Sequence, residues 1–271
     1  MKDVQNLTDT RGIAIQRVGV SSVHLPFLIQ AKDGSFQSVL AQITLTVSLP
    51  EQFKGTHMSR FIEILSEWSQ KPISKREMND ILLDTLEKLQ AKSAELLIRF
   101  KYFVKKKAPV SALESLLDYD CTFCGRLEHG QEMAFTMELS VPFTSLCPCS
   151  KEISRYGAHN QRGLMQVKIR QRQGYFTWIE DLAALMEAQG SSQVYPLLKR
   201  EDEKFVTEKA YENPKFVEDV LRDLVLALRT LPEIEWFEVE CENYESIHNH
   251  SAYAAHVEEV TQIEVEKEGE H

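Results

Sequence analysis

The feature that most constrains the fold of this chain is an order of predicted elements that occurs twice. Two stretches of alternating apolar and polar residues, two helical stretches with one apolar face, and two more alternating stretches follow one another, and the same order then returns. No residue-level repeat accompanies this pattern. The order predicts an α+β protein in which two ββααββ units pack their helices on one face of an antiparallel sheet.

The predicted elements can be placed by residue number. The first half contains strands at 16–29, 37–49, 94–104 and 118–128 and helices at 58–69 and 74–91. The second half contains strands at 132–143, 164–173, 234–241 and 252–262 and helices at 177–188 and 214–230. We therefore expect a first unit with an N-terminal arm over residues 1–130, a second unit that carries most of the motifs over 131–262, and a charged tail over 263–271.

Three local signals support these placements. The run Lys32–Ser35 has the composition of a turn between the first two strands. Ser74, followed three residues later by Glu77, forms a capping box at the start of a helix. Pro214 suits the first turn of the last helix, where its missing N–H costs nothing.

The charge balance limits the class of partner. The chain has 31 Lys and Arg against 41 Asp and Glu, a formal net charge of −10. Broad binding to nucleic acid or to an anionic membrane needs a positive surface, so neither is expected. Basic residues do cluster locally, as at Lys105–Lys107, so an anionic small substrate is still compatible with the composition.

The compartment is expected to be the cytoplasm. The first residues are polar and lack the apolar core of a signal peptide, and no apolar run approaches the roughly 20 residues that span a bilayer. The five cysteines are an odd number in a long chain. Such a number suits free thiols or metal ligands better than a disulfide framework.

The segment 144–162 carries the strongest chemical signal. It interrupts the second strand pair, lacks alternation and is too long for a simple hairpin turn, and long loops in compact domains are commonly functional. Cys147, Cys149 and His159 supply thiolate and imidazole, the ligand types that zinc and related metals prefer. The segment therefore predicts a metal site, and the alternative is a polar loop with two buried thiols.

Two further groups could contribute ligands. Glu245, His248 and His250 lie together between two predicted strands, either as metal ligands or as polar turn residues. Cys121 and Cys124 form a CxxC pair, which suggests a redox pair or half of a zinc ribbon with the later cysteines. Residues three apart in a strand point to opposite faces, which argues against both uses of the pair.

Charged residues elsewhere have ordinary interpretations as well as functional ones. The acidic run 201–208 has the composition of a solvated face, and Glu218 at a helix start is favourable with the helix dipole. The segment 54–60, which contains His57 and Arg60, leads into a helix N-terminus that could receive a phosphate or could simply be capped.

The chain resembles the type IB GTP cyclohydrolase I family. The resemblance covers nearly the whole chain in order, and the cysteine and GAHNQR motifs are long and specific. The matching runs are FKGTHMSRF (53–61), TSLCPCSKEIS (144–154), GAHNQRG (157–163), YPLLKREDEK (195–204), NPKFVEDVLRD (213–223) and ESIHNHSAYA (245–254).

The resemblance implies a fold, an assembly and an activity. The fold would be the tunnelling fold, with two tandem ββααββ units, and the assembly a homotetramer with active sites at subunit interfaces. The activity would be a metal-dependent hydrolase reaction that opens the imidazole ring of GTP and yields formate and 7,8-dihydroneopterin triphosphate, the first step towards folate and queuosine-type bases. Each active site would hold one divalent metal, which could be zinc, manganese or iron.

The resemblance also assigns residues. The implied metal ligands are Cys147, His159, Glu203 and His248, with Cys147 favoured over Cys149 and Glu203 over Glu201; the first two and His248 would also be the catalytic residues. Glu218 would hold the guanine edge, where a carboxylate accepts two parallel hydrogen bonds. The remaining implied substrate contacts are Glu245 near the pterin and His57, Arg60 and Lys151 at the phosphates.

Two rival interpretations accompany this assignment. One is another tunnelling-fold enzyme that acts on a different purine or pterin. The other is a non-catalytic protein with a structural zinc held by four cysteines, whose folding would depend tightly on the metal.

Overall fold

The structure, a computed structural model, describes residues 8–260. Its strands are β1 (Ile15–Gln30), β2 (Phe36–Leu49), β3 (Pro72–Ile73), β4 (Ser93–Lys107), β5 (Glu114–Glu128), β6 (Ala134–Leu146), β7 (Asn160–Gln171), β8 (Ser192–Gln193), β9 (Ile234–Asn243) and β10 (Ala252–Glu259). Its helices are α1 (Met58–Trp68), α2 (Lys75–Leu89), α3 (Pro148–Ile153), α4 (Ile179–Glu187), α5 (Arg200–Glu212) and α6 (Val217–Arg229).

All the strands belong to one sheet. The order across it is β10-β9-β7-β6-β5-β4-β2-β1-β3, with β8 paired to β6. Every pairing is antiparallel except the short contact of β3 with β1. The long strands of the first unit therefore occupy one half of the sheet and those of the second unit the other half, joined by the pairing of β5 with β6.

The helices cover one face of this sheet because alternate strand residues are apolar. In β2 the odd-numbered residues from Val39 to Leu49 are buried, and in β4 the even-numbered ones from Ala94 to Tyr102. The apolar faces of α1, α2, α4 and α6 pack on these rows in a single core that runs through both units. The opposite face of the sheet is polar, so this layer architecture is the α+β arrangement predicted from the sequence.

Most predicted elements are confirmed, with ends within a few residues. The predicted N-cap at Ser74 is confirmed, since its side chain accepts from the Arg76 N–H at 3.1 Å. The Ser74 hydroxyl donates to the Glu77 carboxylate, so these two side chains bond to each other rather than in the reciprocal backbone pattern of a capping box. The turn at Lys32–Ser35 closes with Gly34 at a φ of +85°, a backbone conformation that favours glycine.

Several sequence-based boundaries are wrong. The segment 144–162 is not wholly loop, because β6 continues to Leu146, α3 follows, and β7 begins at Asn160. Pro214 lies before the last helix rather than in its first turn, since α6 starts at Val217. Helix α5 was not predicted; only Asp202 and Ala210 are buried in it, so it has no apolar stripe to detect. The predicted tail 263–271 lies outside the described residues.

Buried polar groups tie the two units together. Glu187 on α4 accepts hydrogen bonds from Lys106 on β4 and Tyr119 on β5, and both members of the Lys–Glu pair are at least nine-tenths buried. Nearby, the Tyr102 hydroxyl donates to Glu180 at 2.6 Å. Burial, aided by these carboxylates, raises the pKa of both tyrosines. The helix of the second unit is therefore hydrogen-bonded directly to strands of the first.

No helix within residues 8–260 combines the length and the apolar composition required to cross a bilayer.

Candidate active site

The loop that begins at Cys147 forms the centre of the candidate site. Cys147 is the N-cap of α3, and its Sγ accepts a hydrogen bond from the Ser150 N–H at 3.4 Å. Pro148 starts the helix, where a missing N–H is harmless. Cys147 is half-buried and Cys149 is exposed. The local fold therefore fixes the thiol of Cys147 at the C-terminal end of β6, whereas the thiol of Cys149 faces solvent.

His159 lies beside Cys147 because their backbones are paired. The Cys147 N–H donates to the His159 carbonyl at 3.1 Å, and the His159 N–H donates to Ser150 Oγ at 3.2 Å. Ser150 thus contacts both residues. The two predicted ligands of this loop are brought together by hydrogen bonds within the loop itself.

The orientation of the His159 ring depends on Gln161 and Glu245. The Glu245 carboxylate can only accept, so the Gln161 Nε2 faces it, at 3.3 Å, and the Gln161 Oε1 faces His159 Nδ1, at 3.0 Å. Nδ1 must then carry the hydrogen, which leaves the lone pair of the neutral ring on Nε2. Such a partner on the second nitrogen is typical of a histidine that ligates a metal.

Gln161 was missed as a functional residue by the sequence reasoning. It occupies the buried face of β7, in a row with Ser145 on β6. Ser145 Oγ and Asn243 Oδ1 are buried, and neither has a hydrogen-bond partner within the described part of the chain. A polar residue at a core position of an alternating strand was the available signal, because Met165, Val167 and Ile169, further along the same face of β7, are apolar.

Gly163 lets the strands approach closely beneath the site. A Cβ at this position would lie 2.5 Å from the Phe143 ring and 2.7 Å from Asn243 Oδ1. Both distances are far below a normal contact, so a side chain would push β6 or β9 aside. The glycine of the GAHNQRG motif therefore has a packing role, two positions from Gln161.

Glu218 lies near the same end of β6, and its carboxylate is exposed. The segment before α6 is held to β6, since the Lys215 N–H donates to the Leu146 carbonyl at 3.1 Å. Asp219 caps α6 by accepting from the Phe216 N–H at 3.0 Å. Glu218 makes no hydrogen bond or ion pair to any residue from 8 to 260, so it is available to a ligand.

Lys151 is engaged within the chain. Its Nζ donates to the Tyr211 carbonyl at 2.5 Å and lies 4.3 Å from the centre of the Tyr211 ring. This contact joins α3 to the end of α5. A phosphate would have to compete with that carbonyl for Lys151.

Asp202 and Glu203, adjacent on α5, have different roles. Asp202 is fully buried and accepts from the backbone of Val110, Ser111 and Lys199 and from the Ser111 hydroxyl. Burial alone would raise the pKa of Asp202, but these hydrogen bonds outweigh it and hold that pKa below its ordinary value. Glu203 is exposed, as is Glu201, so the choice between them as a ligand stays a prediction.

Three further histidines lie on or near the β9–β10 connection. The rings of His248 and His250 are stacked, with centroids 5.1 Å apart, and both residues are exposed. His256 instead bonds to Glu258 at 2.8 Å, and Arg229 also pairs with Glu258. His248 and His250 therefore remain accessible to a ligand, whereas His256 belongs to a surface ion-pair network.

His57 and Arg60 lie at the opposite end of the strands from Cys147. They line a cleft of about 220 Å³ with residues at the end of β2 and after α2. Three antiparallel pairings separate β2 from β6, so the C-terminal ends of these two strands point in opposite directions along the sheet. Arg60 donates to the Lys88 carbonyl at 3.0 Å. Within one chain, these two residues are not beside Cys147.

The cysteines exclude a four-cysteine zinc site. Cys121 is in the core and Cys124 on the opposite face of β5, as expected for residues three apart in a strand. Burial raises the pKa of the thiols of Cys121 and Cys124, and raises that of Cys241 to about 12. Across residues 8–260, no three Cys, His, Asp or Glu side chains are close enough to hold a metal ion as the side chains stand. The structural-zinc alternative needs Cys121 and Cys124 on one metal, and their positions on opposite faces of β5 contradict it.

The donor set nevertheless suits a divalent metal. Cys147 and His159 offer a thiolate and an imidazole whose tautomer is fixed, which are ligands of the kind that zinc and iron accept. Of the four predicted ligands the structure brings these two together. Glu203 lies in the first turn of α5, about 12 Å of helix from Tyr211, which contacts Lys151 of α3, and His248 lies on a separate connection. The four-ligand set stays a prediction.

Known structures with a similar fold are uricases. The uricase of Arthrobacter globiformis superposes with a TM-score of 0.54 at 7% identity, over 94% of this chain and 96% of that one. A uricase from Bacillus fastidious gives a TM-score of 0.60 at 6% identity, over 90% of this chain and 93% of that one. At such low identity the likeness concerns the fold alone, which is the tunnelling fold.

Sequence comparison identifies the family. The model of the type I GTP cyclohydrolase folE2 family matches residues 1–254. GTP cyclohydrolase FolE2 of Geotalea uraniireducens is 55% identical over 255 residues, which cover 94% of this chain and 92% of that protein. The corresponding protein of Geobacter metallireducens is 53% identical over 94% of this chain and 96% of its own length. The chain belongs to the type I GTP cyclohydrolase FolE2 family.

Proposed function

We propose that this protein is a GTP cyclohydrolase I of type IB. It adds water across the imidazole ring of GTP, releases C8 as formate and rearranges the ribose to give 7,8-dihydroneopterin triphosphate, the first step of folate and queuosine-type biosynthesis. The observation that carries the proposal is the hydrogen-bonded chain from Glu245 through Gln161 to His159, next to the thiol of Cys147. Family membership over residues 1–254 supports the same reaction.

We further propose one divalent metal per site, with Cys147, His159, Glu203 and His248 as its ligands. The metal would be zinc, manganese or iron. Bound there, it would lower the pKa of a coordinated water towards about 7, which would make hydroxide available at neutral pH. The fixed tautomer of His159 supports this set, because it leaves Nε2 able to bind a cation.

The residues around the metal position GTP. Glu218 would accept two parallel hydrogen bonds from the N1–H and 2-amino group of guanine, and its exposed carboxylate at a fixed helix start suits that role. Glu245 would orient the ring system while it holds Gln161. His250 would move a proton during ring opening, and its exposed ring, stacked on that of His248, supports this role.

A homotetramer with active sites between subunits forms part of the proposal. His57 and Arg60, the proposed phosphate contacts, are at the opposite end of the strands from Cys147 in one chain, so a neighbouring subunit would have to supply them. The loop that carries the ligands also exposes Ile153 and Tyr156, which are 84% and 96% accessible. Large apolar groups at a site mouth are typical of a protein contact.

The cytoplasm is the proposed compartment. All five cysteines are free thiols in the structure, as expected where disulfides are kept reduced.

Metal-reconstituted protein tests the reaction directly. Incubation with GTP should release one formate per GTP consumed and give a product that fluoresces as a neopterin after oxidation. Protein that binds a metal and still yields no formate would disprove the activity. A parallel assay with other purine nucleotides and pterins separates this reaction from that of another tunnelling-fold enzyme.

Two cysteine variants test the ligand assignment. Cys147→Ala should lose the metal, measured by elemental analysis after desalting, together with formate release. Cys149→Ala is the matched control, since its exposed thiol is two residues away, and it should keep both. The reverse pattern would assign the ligand to Cys149.

A further inference from the structure

A second cleft lies on the helix-covered face of the sheet, where the two units meet. Its apolar part has a volume of about 340 Å³ and lies between the start of α2 and the segment that leads into α4. Phe176 and Trp178 line it and pack edge to face, with ring centroids 4.8 Å apart. Phe176 is nevertheless 47% exposed. An aromatic wall with one open side can accept another ring.

A larger polar cleft adjoins the apolar one. Its volume is about 910 Å³, and the two share Ser74, Lys75, Phe135 and Phe176 as lining residues. Both volumes lie within or near the roughly 300–1,000 Å³ of small-molecule sites. Together they offer an apolar recess that opens into a polar entrance.

The cleft is remote from the candidate active site. It uses the start of β6 and the end of β7, whereas the Cys147 loop joins the other ends of the same strands. The 13 residues of β6 separate the two places by roughly 40 Å at about 3.3 Å per residue. A ligand in the cleft would not contact the reacting atoms.

Gln171 provides an unpaired polar group in this cleft. It is the last residue of β7, lines the polar part and is only 5% exposed. Neither its Nε2 nor its Oε1 has a hydrogen-bond partner among residues 8–260. Buried side-chain amides are nearly always bonded, so a donor and an acceptor left open side by side indicate a missing polar partner.

Lys75 and Arg76 give the entrance a positive charge. They are the first two residues of α2, a 15-residue helix whose N-terminal N–H groups and dipole also favour an anion. Within the described part of the chain, neither side chain forms an ion pair. Cations are normally depleted at a helix start, so this pair is unfavourable for the helix alone.

The cleft is also lined by two acidic residues. Glu235 is offset by Arg170, with which it pairs at 2.6 Å. Glu132 accepts a hydrogen bond from the neutral amide of Gln173 at 3.0 Å and keeps its negative charge. Lys75 and Arg76 outnumber this one remaining carboxylate, so the net charge of the lining is positive.

We propose that this cleft binds a planar aromatic molecule that carries one carboxylate. The ring enters the recess beside Phe176 and Trp178, the amide of Gln171 bonds to a polar atom of the ligand, and the carboxylate meets Lys75 and Arg76. This site goes beyond the proposed function and does not depend on it. Occupancy stiffens the junction between the two units, because the residues of the cleft come from both.

Isothermal titration calorimetry of the full-length protein with 2-naphthoate tests the site. We expect saturable binding of one molecule per chain. The neutral isostere 2-naphthamide should bind about 10-fold more weakly, since a charge-assisted hydrogen bond is lost. Absence of saturable binding, or equal affinity for the two probes, would overturn the proposal. Neither result depends on whether GTP is turned over.

Variants locate the probe. Gln171→Leu and the double change Lys75→Ala with Arg76→Ala should each weaken 2-naphthoate by about 10-fold. Lys71→Ala is the control, because Lys71 is a neighbouring exposed lysine that lies over Trp68 instead. The thermal midpoint of Gln171→Leu should not fall, since the change removes an unsatisfied buried amide. Unchanged affinity in both variants would place the probe elsewhere and refute the site.

Discussion

At the scale of single residues, the orientation of one imidazole depends on neighbours that are not ligands themselves. Glu245 sets the amide of Gln161, and that amide sets which nitrogen of His159 carries the hydrogen. A ring with the other tautomer would present an N–H where a cation must bind. Gln161 is therefore a positioning residue, acting through His159.

Replacement of Gln161 by Leu tests this dependence without any metal. In ¹⁵N spectra of the metal-free protein, neutral His159 should carry its hydrogen on Nδ1 in the wild type and should move towards the Nε2–H form in the variant. Metal affinity should fall about 10- to 100-fold, as for other lost partners of ligating histidines. Gln166→Leu, on the opposite face of β7, is the control and should leave both properties unchanged.

The lowered pKa of Asp202 predicts that its contribution to the free energy of unfolding is lost in acid. Its pKa is held below the ordinary 3.8 in the folded protein, so its contribution is complete above the unfolded-state value of about 4 and is lost as the pH falls through the folded-state value. Asp202→Asn should therefore be less stable than the wild type at pH 7, in urea unfolding, and the difference should narrow below pH 4. A difference independent of pH would contradict the prediction.

At the scale of elements, the sequence predicted what hydrophobic periodicity can encode. An apolar row is buried by each of the helices α1, α2, α4 and α6 and by each of the strands β2, β4, β5, β6, β7 and β9. The sequence pattern predicts every one of these elements. Helix α5 is fixed instead by a tertiary contact, since Asp202 binds the turn at 110–111 of the first unit. Helix α3 has six residues and no buried side chain, so its signal is only the proline and the cap.

The candidate site was only partly predictable from the sequence. Family motifs pointed to Cys147 and His159, and the structure brings them together. Gln161 could not be assigned a role from sequence, because its function depends on the pairing of β7 with β6 and on the position of Glu245. The separation of Arg60 from Cys147 also depends on strand direction across the whole sheet, which no local pattern contains.

The buried ion pair between Lys106 and Glu187, which links α4 to the first unit, predicts a large coupling free energy between these two residues. Lys106→Met or Glu187→Gln alone should cost about 3–5 kcal/mol in urea unfolding, because each leaves a buried group without its partner. The double variant should cost much less than the sum, since no charge is then left unpaired. The exposed pair Lys105 and Glu114 serves as the control, with a coupling of about 0–1 kcal/mol. Additive costs at the buried pair would refute the link.

At the scale of the whole molecule, one open sheet has two unsealed edges. β1 is paired along one side only, apart from its two-residue contact with β3, and β10 is paired only to β9 among residues 8–260. Unpaired strand edges invite further pairing. Together with the exposed Ile153 and Tyr156, they support the proposed assembly of several chains.

Light scattering coupled to size-exclusion chromatography tests the assembly. The native mass should be four times that of one chain. Ile153→Asp combined with Tyr156→Glu should lower that mass and formate release together, if these side chains are covered by a neighbour. Leu226→Glu, at another exposed apolar position on α6, is the control and should change neither. A monomeric wild type with full turnover would contradict the proposed interface sites.

The β1–β2 and β6–β7 connections differ in length and content, and this difference decides where the protein can be altered by mutation. In the first unit β1 and β2 join through the tight turn Lys32–Ser35, whereas the equivalent connection of the second unit holds Cys147 and His159. The connection of the first unit is a short turn, and that of the second unit carries two of the proposed metal ligands. Mutational libraries for altered substrate choice therefore belong in 147–159 and 244–251, whereas the turn 31–35, where Lys32 bonds to Glu180 and Asp181 of α4, should be left unchanged.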